Sequence, residues 1–152
     1  MPPLTGLTIL DFSTLLPGPF ASLMLAEAGA RVIKIEPPRG DDMRRFPPMV
    51  GEDSAAFAAL NHGKECLRLD LKDPAALETL RPMIETADVL IEQFRPGVMA
   101  RLGLGYEAVS AINPALIYCS ITGYGQSGPR AQEAGHDLNY ISRTGMLSLS
   151  SG

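Results

Sequence analysis

Five short apolar runs, separated by helical or loop-like patterns, constrain the fold of this chain more than any other feature. Each run is rich in Val, Ile or Leu and is bounded by turn residues, which is typical of buried β-strands. Strands that alternate with helices form βαβ units, and such units build a parallel sheet with helices on both of its faces. The sequence therefore predicts an α/β fold with strands at Leu7–Phe12, Arg31–Glu36, Cys66–Leu71, Val89–Glu92 and Leu116–Ile121.

Helical segments and one long irregular segment connect these strands. Phe20–Ala28 has helical periodicity and ends before a glycine, and Pro74–Thr86 begins with Asp73 as N-cap and proline at its first position. Residues 37–58 contain four prolines, two glycines and three arginines, which predicts an irregular excursion with a short helix at Ser54–Leu60. We expect this excursion to be functional or mobile, because structureless segments of such length are uncommon in compact domains.

The turn after the first strand tests whether the chain binds a dinucleotide. Glu36 ends the second strand at about the place where an acidic residue would hold a ribose. The turn Ser13–Pro19, however, has one glycine where the dinucleotide fingerprint needs three, and its two prolines lack N–H groups for a pyrophosphate. The sequence thus argues against NAD binding and leaves Glu36 as a solvated strand-end residue.

A histidine follows the last predicted strand. His136 lies in the run Gly-His-Asp-Leu-Asn-Tyr, where a glycine-rich loop leads into a predicted helix over Leu138–Leu147 with Asp137 as N-cap. Imidazole titrates near neutral pH, and the N–H groups at a helix start can stabilise an oxyanion. A lone histidine beside a strand is more often a hydrogen-bonded structural residue, so the residues alone leave both roles open.

Charge and cysteine content exclude several function classes. The net charge of −4 gives no reason to expect nucleic acid or an anionic membrane as partner. Cys66 and Cys119 lie far apart without Cys-x-x-Cys spacing, which argues against a metal site or a redox pair and is typical of reduced thiols in a cytoplasmic protein. Neither a signal peptide nor a membrane span is predicted.

Five ordered blocks resemble the family III CoA-transferases, also called the CaiB/BaiF family. The blocks are Leu7–Phe12 with Pro17–Pro19, Asn61–Lys64 with Leu69–Lys72, Ala87–Gly97, Leu102–Tyr106 and Gly135–Ile141. The last block resembles the α-methylacyl-CoA racemase branch of that family. The resemblance implies that residues 1–152 form the Rossmann-like, CoA-binding N-terminal part of a family III CoA-transferase fold.

The resemblance also implies an acyl-CoA thioester as substrate, with no other cofactor and no metal. Lys72, Arg95 and Arg101 follow predicted strands, so these cations could gather for the CoA phosphates at one edge of the sheet. The CoA contacts of the family fall on Leu69, Leu71, Lys72, Arg95, Arg101, Gly135 and Tyr140 of this sequence. Further candidates for the phosphates are Arg39, Arg44 and Arg45 in the excursion.

The chemistry implied by the racemase branch is proton exchange at the carbon next to the thioester carbonyl. One base removes the α-proton, an enolate forms, and an acid on the opposite face returns a proton. His136 is then one acid–base residue, and the backbone N–H of Asp137 is the donor to the enolate oxygen.

The family's remaining catalytic carboxylates fall beyond Gly152, and its members are longer, interlocked dimers in which a second domain closes the site. We therefore expect a truncated chain that is inactive alone and that needs a homodimer partner or a missing C-terminal part. The tail Leu147–Gly152 has no capping element, which agrees with truncation. Three functions stay open: the N-terminal part of a 2-methylacyl-CoA racemase, that of a family III CoA-transferase, and a non-enzymatic CoA-binding fragment.

Overall fold

The computed structural model describes residues 1–149, and a parallel β-sheet lies at its centre. The strands of this sheet are β1 (Thr8–Asp11), β2 (Arg31–Glu36), β5 (Glu65–Arg68), β6 (Val89–Glu92) and β7 (Ile117–Ser120), while β3 (Met49–Val50) and β4 (Asp53–Ser54) form a separate antiparallel hairpin. The order in the sheet is β5-β2-β1-β6-β7, and every neighbouring pair is parallel. All predicted strands are therefore confirmed, with ends that shift by at most three residues.

The helices of the described residues are α1 (Pro17–Glu27), α2 (Ala55–Leu60), α3 (Pro74–Thr86), α4 (Val98–Arg101), α5 (Tyr106–Ile112) and α6 (Asp137–Arg143). The prediction for α3 is confirmed at both ends, and the Asp73 carboxylate accepts a hydrogen bond of 3.0 Å from the N–H of Ala75. α1 begins earlier than expected because Pro17 has a backbone angle that suits a first helical turn. Within residues 1–149, no helix combines the length and the apolar character needed to cross a membrane.

Apolar side chains cover both faces of the sheet. Leu10 of β1 packs in one cluster with Leu80 of α3, and both are fully buried. Ile9, which points to the opposite face because side chains alternate along a strand, packs in a second cluster with Leu25 of α1. The predicted α/β architecture, a parallel sheet between helices, is confirmed.

The strand order places a crevice between β1 and β6. From β1 the chain moves outward to β2 and β5, and then returns to β6 on the other side of β1. The direction of winding reverses between these two strands, so the loops after them diverge. Open α/β sheets bind their ligands at such a point, at the carboxyl ends of the strands.

Residues 37–58 form an ordered lobe that is bound to β2 by buried charges. Glu36 is 1% exposed, and Arg44 donates hydrogen bonds of 2.7 and 2.8 Å to its two carboxylate oxygens. Arg44 also bonds Asp53 at 2.7 Å and lies 3.8 Å over the ring of Phe57. The prediction that Glu36 is solvated is wrong, because its partner is supplied by the folding of the excursion. The short helix is confirmed as α2, with Ser54 as its N-cap.

The last helix differs from its prediction at both ends. His136, not Asp137, is the N-cap of α6, and its backbone N–H donates to Asn139 Oδ1 at 2.9 Å. The helix ends at Arg143 because Gly145 takes a left-handed φ of +79°, after which Met146–Leu149 forms a 3₁₀ turn. The predicted tail Leu147–Gly152 falls partly on residues 150–152, which lie outside the described residues.

Candidate active site

The turn between β1 and α1 borders the crevice and is tightly constrained. Leu15 has a left-handed φ of +61°, which a leucine adopts only where the surrounding structure enforces it. The side chain of Gln93, which follows β6, donates to the Thr14 carbonyl at 2.6 Å and accepts from the Gly18 N–H at 3.2 Å. A Cβ on Gly18 would lie 2.2 Å from Ser13 Cβ, so only glycine fits there. Gln93 thus ties the two sides of the crevice together.

Behind this turn lies a buried group of charges. Asp11 at the end of β1 is fully buried and accepts hydrogen bonds from the hydroxyls of Ser13 and Ser22. The ammonium of Lys64 lies 3.6 Å from Asp11 and donates to the carbonyl of Pro19 at 2.8 Å. Burial lowers the pKa of Lys64 to about 8. These groups clamp the start of α1 and leave Asp11 no freedom to act as a nucleophile.

A second buried lysine ties the same turn to the excursion. Lys34 of β2 is inaccessible to solvent, donates to the Ser13 carbonyl at 2.6 Å and lies 3.1 Å from Asp41 Oδ2. Neither buried lysine was predicted to matter. The signal that could have found Lys34 is a charged side chain between Ile33 and Ile35, in a strand that is otherwise apolar.

A cleft of about 420 Å³ opens beside the crevice, between the ends of β6 and β7 and the start of α5. Its lining includes Glu92, Arg95, Tyr106, Tyr118 and Gln126. The Tyr118 hydroxyl donates to the carbonyl of Leu104 at 2.9 Å, and burial together with the charge of Glu92 raises the pKa of that phenol well above its usual value. The cleft therefore offers one cation, one carboxylate and aromatic surface.

His136 lies on the loop after β7, at the start of α6. Its side chain is exposed, while the backbone on either side is held. The Asn139 side chain accepts from its N–H, and the Tyr140 hydroxyl donates to the carbonyl of Gly135 at 2.9 Å. Gln132 of the same loop donates to the Pro96 carbonyl at 3.0 Å, which brings the loop to the turn after β6.

The three predicted cations all follow carboxyl ends of strands, but they do not all meet. Arg95 lines the cleft, and a Cβ on Gly97 would lie 3.4 Å from Arg101 Nη1, so the Arg101 guanidinium folds back toward the Arg95 turn. Lys72 follows β5, a strand separated from β6 by β2 and β1, so the two strands that lead to these cations lie about 14 Å apart. All three side chains are exposed, and none has an ion-pair partner within residues 1–149.

The other predicted CoA contacts have different surroundings. Leu69 and Leu71 are partly buried and pack on the edge of the larger apolar cluster. Arg44 forms ion pairs with Glu36 and Asp53, so it is not free to bind a phosphate. Arg39 and Arg45 are exposed, and both form ion pairs with Asp42. The most buried of the three arginines in residues 37–58 therefore stabilises the fold of this segment.

Comparison with known proteins assigns the family. The model of CoA-transferase family III matches residues 4–152. The chain belongs to that family. It is 46% identical over 146 residues to acetyl-CoA:oxalate CoA-transferase of Acetobacter aceti, covering 95% of this chain and 38% of that protein. It is 41% identical over 145 residues to human α-methylacyl-CoA racemase, covering 95% of this chain and 35% of the relative.

A solved family member has the same fold. A CaiB/BaiF family protein from Brucella suis superimposes with a TM-score of 0.93 at 40% identity, over 98% of this chain and 41% of that structure. The chain thus spans about two fifths of the length of these relatives. Family membership, predicted from five sequence blocks, is confirmed, while both transferases and racemases are among the relatives.

Proposed function

We propose that this chain is the N-terminal part of an acyl-CoA racemase that inverts a 2-methyl branch by exchanging the α-proton. The observation that carries the proposal is the placement of His136, an exposed imidazole at the start of α6 beside the sheet edge that carries Arg95. An imidazole can accept a proton in one direction of the reaction and donate one in the other.

The proposed reaction requires two proton transfers. His136 takes the α-proton, the electron pair of the broken C–H bond moves into the C–C bond of an enolate, and the thioester oxygen becomes negative. Asp137 is the first residue of α6, and the first N–H groups of a helix have no partner within that helix. Its N–H is the proposed donor to the enolate oxygen. A second acid, from outside these residues, returns a proton to the opposite face.

The proposed CoA contacts extend along the carboxyl ends of the strands. The Arg101 guanidinium lies next to Gly97 in the turn that follows Arg95, so these two arginines are the proposed contacts of one phosphate region. Lys72 is the proposed contact of a more distant part of the CoA arm. The proposed contacts are Leu69, Leu71, Lys72, Arg95, Arg101 and Gly135, whereas the Tyr140 hydroxyl already donates to the carbonyl of Gly135.

A closing partner is also proposed. Leu16, Phe20 and Met24 are each more than half exposed, and their spacing of four residues places them on one face of α1. Monomeric proteins seldom expose such an apolar stripe. The proposed cover is a second copy of the protein or a further domain of the same polypeptide.

A family III CoA-transferase is the second candidate, and the 46% identity to an oxalate CoA-transferase favours it. Transfer needs a carboxylate nucleophile that attacks the thioester, forms an anhydride and then carries CoA. Asp11 cannot fill that role because it is buried and hydrogen-bonded. The proposed nucleophile of this second candidate is a carboxylate outside residues 1–149.

One experiment on the full-length protein separates these candidates. A single epimer of a 2-methylacyl-CoA is incubated with the protein, and inversion is followed by chiral chromatography. A parallel reaction contains acyl-CoA with a free dicarboxylic acid, and CoA transfer is followed by mass spectrometry. Inversion without transfer supports the racemase. Transfer without inversion assigns the transferase, and tight CoA binding with neither reaction leaves a CoA-binding module.

A further inference from the structure

We infer that Tyr140 is a positioning residue whose hydroxyl fixes the backbone that carries His136. The inference rests on the proposed function, in which His136 exchanges a proton with the substrate. It gives Tyr140 a role different from a CoA contact, since the hydroxyl that would face a ligand is already directed at the loop. The carbonyl that it holds belongs to Gly135, the residue immediately before His136.

The ring of Tyr140 is enclosed by two glycines of the same loop. A Cβ on Gly123 would lie 2.5 Å from the Tyr140 hydroxyl oxygen, and a Cβ on Gly135 would lie 2.8 Å from its Cε1. Neither distance allows a side chain larger than hydrogen. The two glycines therefore make room for an aromatic ring between the beginning and the end of the loop.

Other contacts hold this ring in place. Tyr124 packs against Tyr140 edge to face, with ring centroids 5.4 Å apart. Arg143 lies 5.5 Å over the Tyr124 ring and pairs with Glu133 at 2.9 Å. These groups all belong to the loop after β7 or to α6, so the ring joins the two.

Two side chains of α6 thus reach back to the same peptide unit, the one that joins Gly135 to His136. Tyr140 bonds the carbonyl of Gly135, and Asn139 bonds the N–H of His136. Because the imidazole is exposed, its direction depends on the backbone beneath it. A proton donor or acceptor must be held within hydrogen-bond reach of the reacting carbon, so losing either bond lowers the population of competent geometry.

The test compares Tyr140→Phe with the control variant Tyr124→Phe. Each substitution removes one phenolic hydroxyl and keeps the aromatic ring. No hydrogen bond of the Tyr124 hydroxyl is found among residues 1–149, so this control keeps both rings and the bond to Gly135. In the full-length protein we expect Tyr140→Phe to lower kcat for α-proton exchange by about three- to tenfold, the usual worth of one hydrogen bond. The KM for acyl-CoA should stay within about twofold of wild type, and Tyr124→Phe should match wild type.

A second readout does not depend on catalysis. In the full-length protein, amide hydrogen exchange at His136 should be faster in Tyr140→Phe than in Tyr124→Phe. Equal exchange rates at His136 in both variants would overturn the inference, and so would a raised KM with unchanged kcat, which assigns Tyr140 to CoA binding. If His136→Gln leaves α-proton exchange intact, the proposed function fails, and amide exchange still decides whether Tyr140 holds the loop.

Discussion

The β1–α1 turn and the His136 loop both follow carboxyl ends of strands, but different forces hold them. Buried lysines, a buried carboxylate and Gln93 constrain the turn, and almost none of these groups meets solvent. The His136 loop is exposed and is held by a few hydrogen bonds and two tyrosine rings. The turn is thus held by buried contacts and the loop that carries His136 by fewer, exposed ones. This division is common in α/β folds, where loops carry chemistry on a fixed scaffold.

The largest expected difference between the two regions is the cost of breaking an ion pair. Lys34→Met should lower the free energy of unfolding by about 3–5 kcal/mol, because it leaves the buried carboxylate of Asp41 without its ion-pair partner. Asp41 Oδ2 accepts no hydrogen bond within the described residues and faces Lys34 alone at 3.1 Å. Arg143→Met, which breaks the half-exposed pair with Glu133, should cost at most about 1 kcal/mol.

Chemical denaturation of the two variants measures this difference. Equal losses of stability would show that the buried charges do not distinguish the turn from the loop.

Glycine substitutions should show the same contrast at a smaller scale. Gly18→Ala should destabilise the protein by about 2–3 kcal/mol because the new methyl group overlaps Ser13. Gly128→Ala in the loop meets open space, so only its left-handed φ of +93° opposes the change, at a cost of about 1 kcal/mol. Thermal unfolding of both variants measures the two losses of stability. A larger loss in Gly128→Ala than in Gly18→Ala would contradict the packing at Gly18.

CoA binding should be sensitive to substitutions at the carboxyl ends of the strands and insensitive to substitutions at their amino ends. Arg95→Ala or Arg101→Ala should weaken CoA binding by about 1–3 kcal/mol, the usual cost of a charge-assisted contact. Arg31→Ala is the matched control, an exposed arginine at the start of β2 that pairs with Glu65. Calorimetry at two salt concentrations tests this. Unchanged CoA affinity in the Arg95→Ala/Arg101→Ala double variant would show that these two arginines do not bind CoA.

A further expected effect is a pH dependence of stability from Lys64. Burial holds its folded pKa near 8, below the ordinary value of 10.5, so the unfolded chain binds more protons between these values. Stability from this group should therefore rise with pH from about 8 to 10.5. Cys66 and Tyr118, whose pKa values burial raises, contribute the opposite trend. The slope of wild type minus that of Lys64→Met isolates the lysine, and a zero or negative difference would refute the assignment.

The sheet could be predicted because each strand is a short run of apolar residues between turn signals, as in Val89–Glu92, where both ends are correct. The buried surroundings of Glu36 could not be predicted, because its ion-pair partner Arg44 comes close only after residues 37–58 have folded. The start of α6 was misplaced by one residue since Asp137 is the better N-cap by type, yet Asn139 makes its bond to His136. The residue pattern points to His136 but leaves its role open, because spacing alone does not distinguish a catalytic histidine from a structural one; the family resemblance favours the catalytic role.

The central claim is that His136 moves the α-proton, and deuterium wash-in tests it most directly. The full-length protein is incubated in D₂O with a 2-methylacyl-CoA, and mass spectrometry counts label at the α-carbon. We expect His136→Gln to slow wash-in by about 10² to 10⁴ with CoA affinity nearly unchanged. His62→Gln, the matched change at the other histidine of the sequence, should keep the wild-type rate. Wash-in at the wild-type rate in His136→Gln would contradict the account.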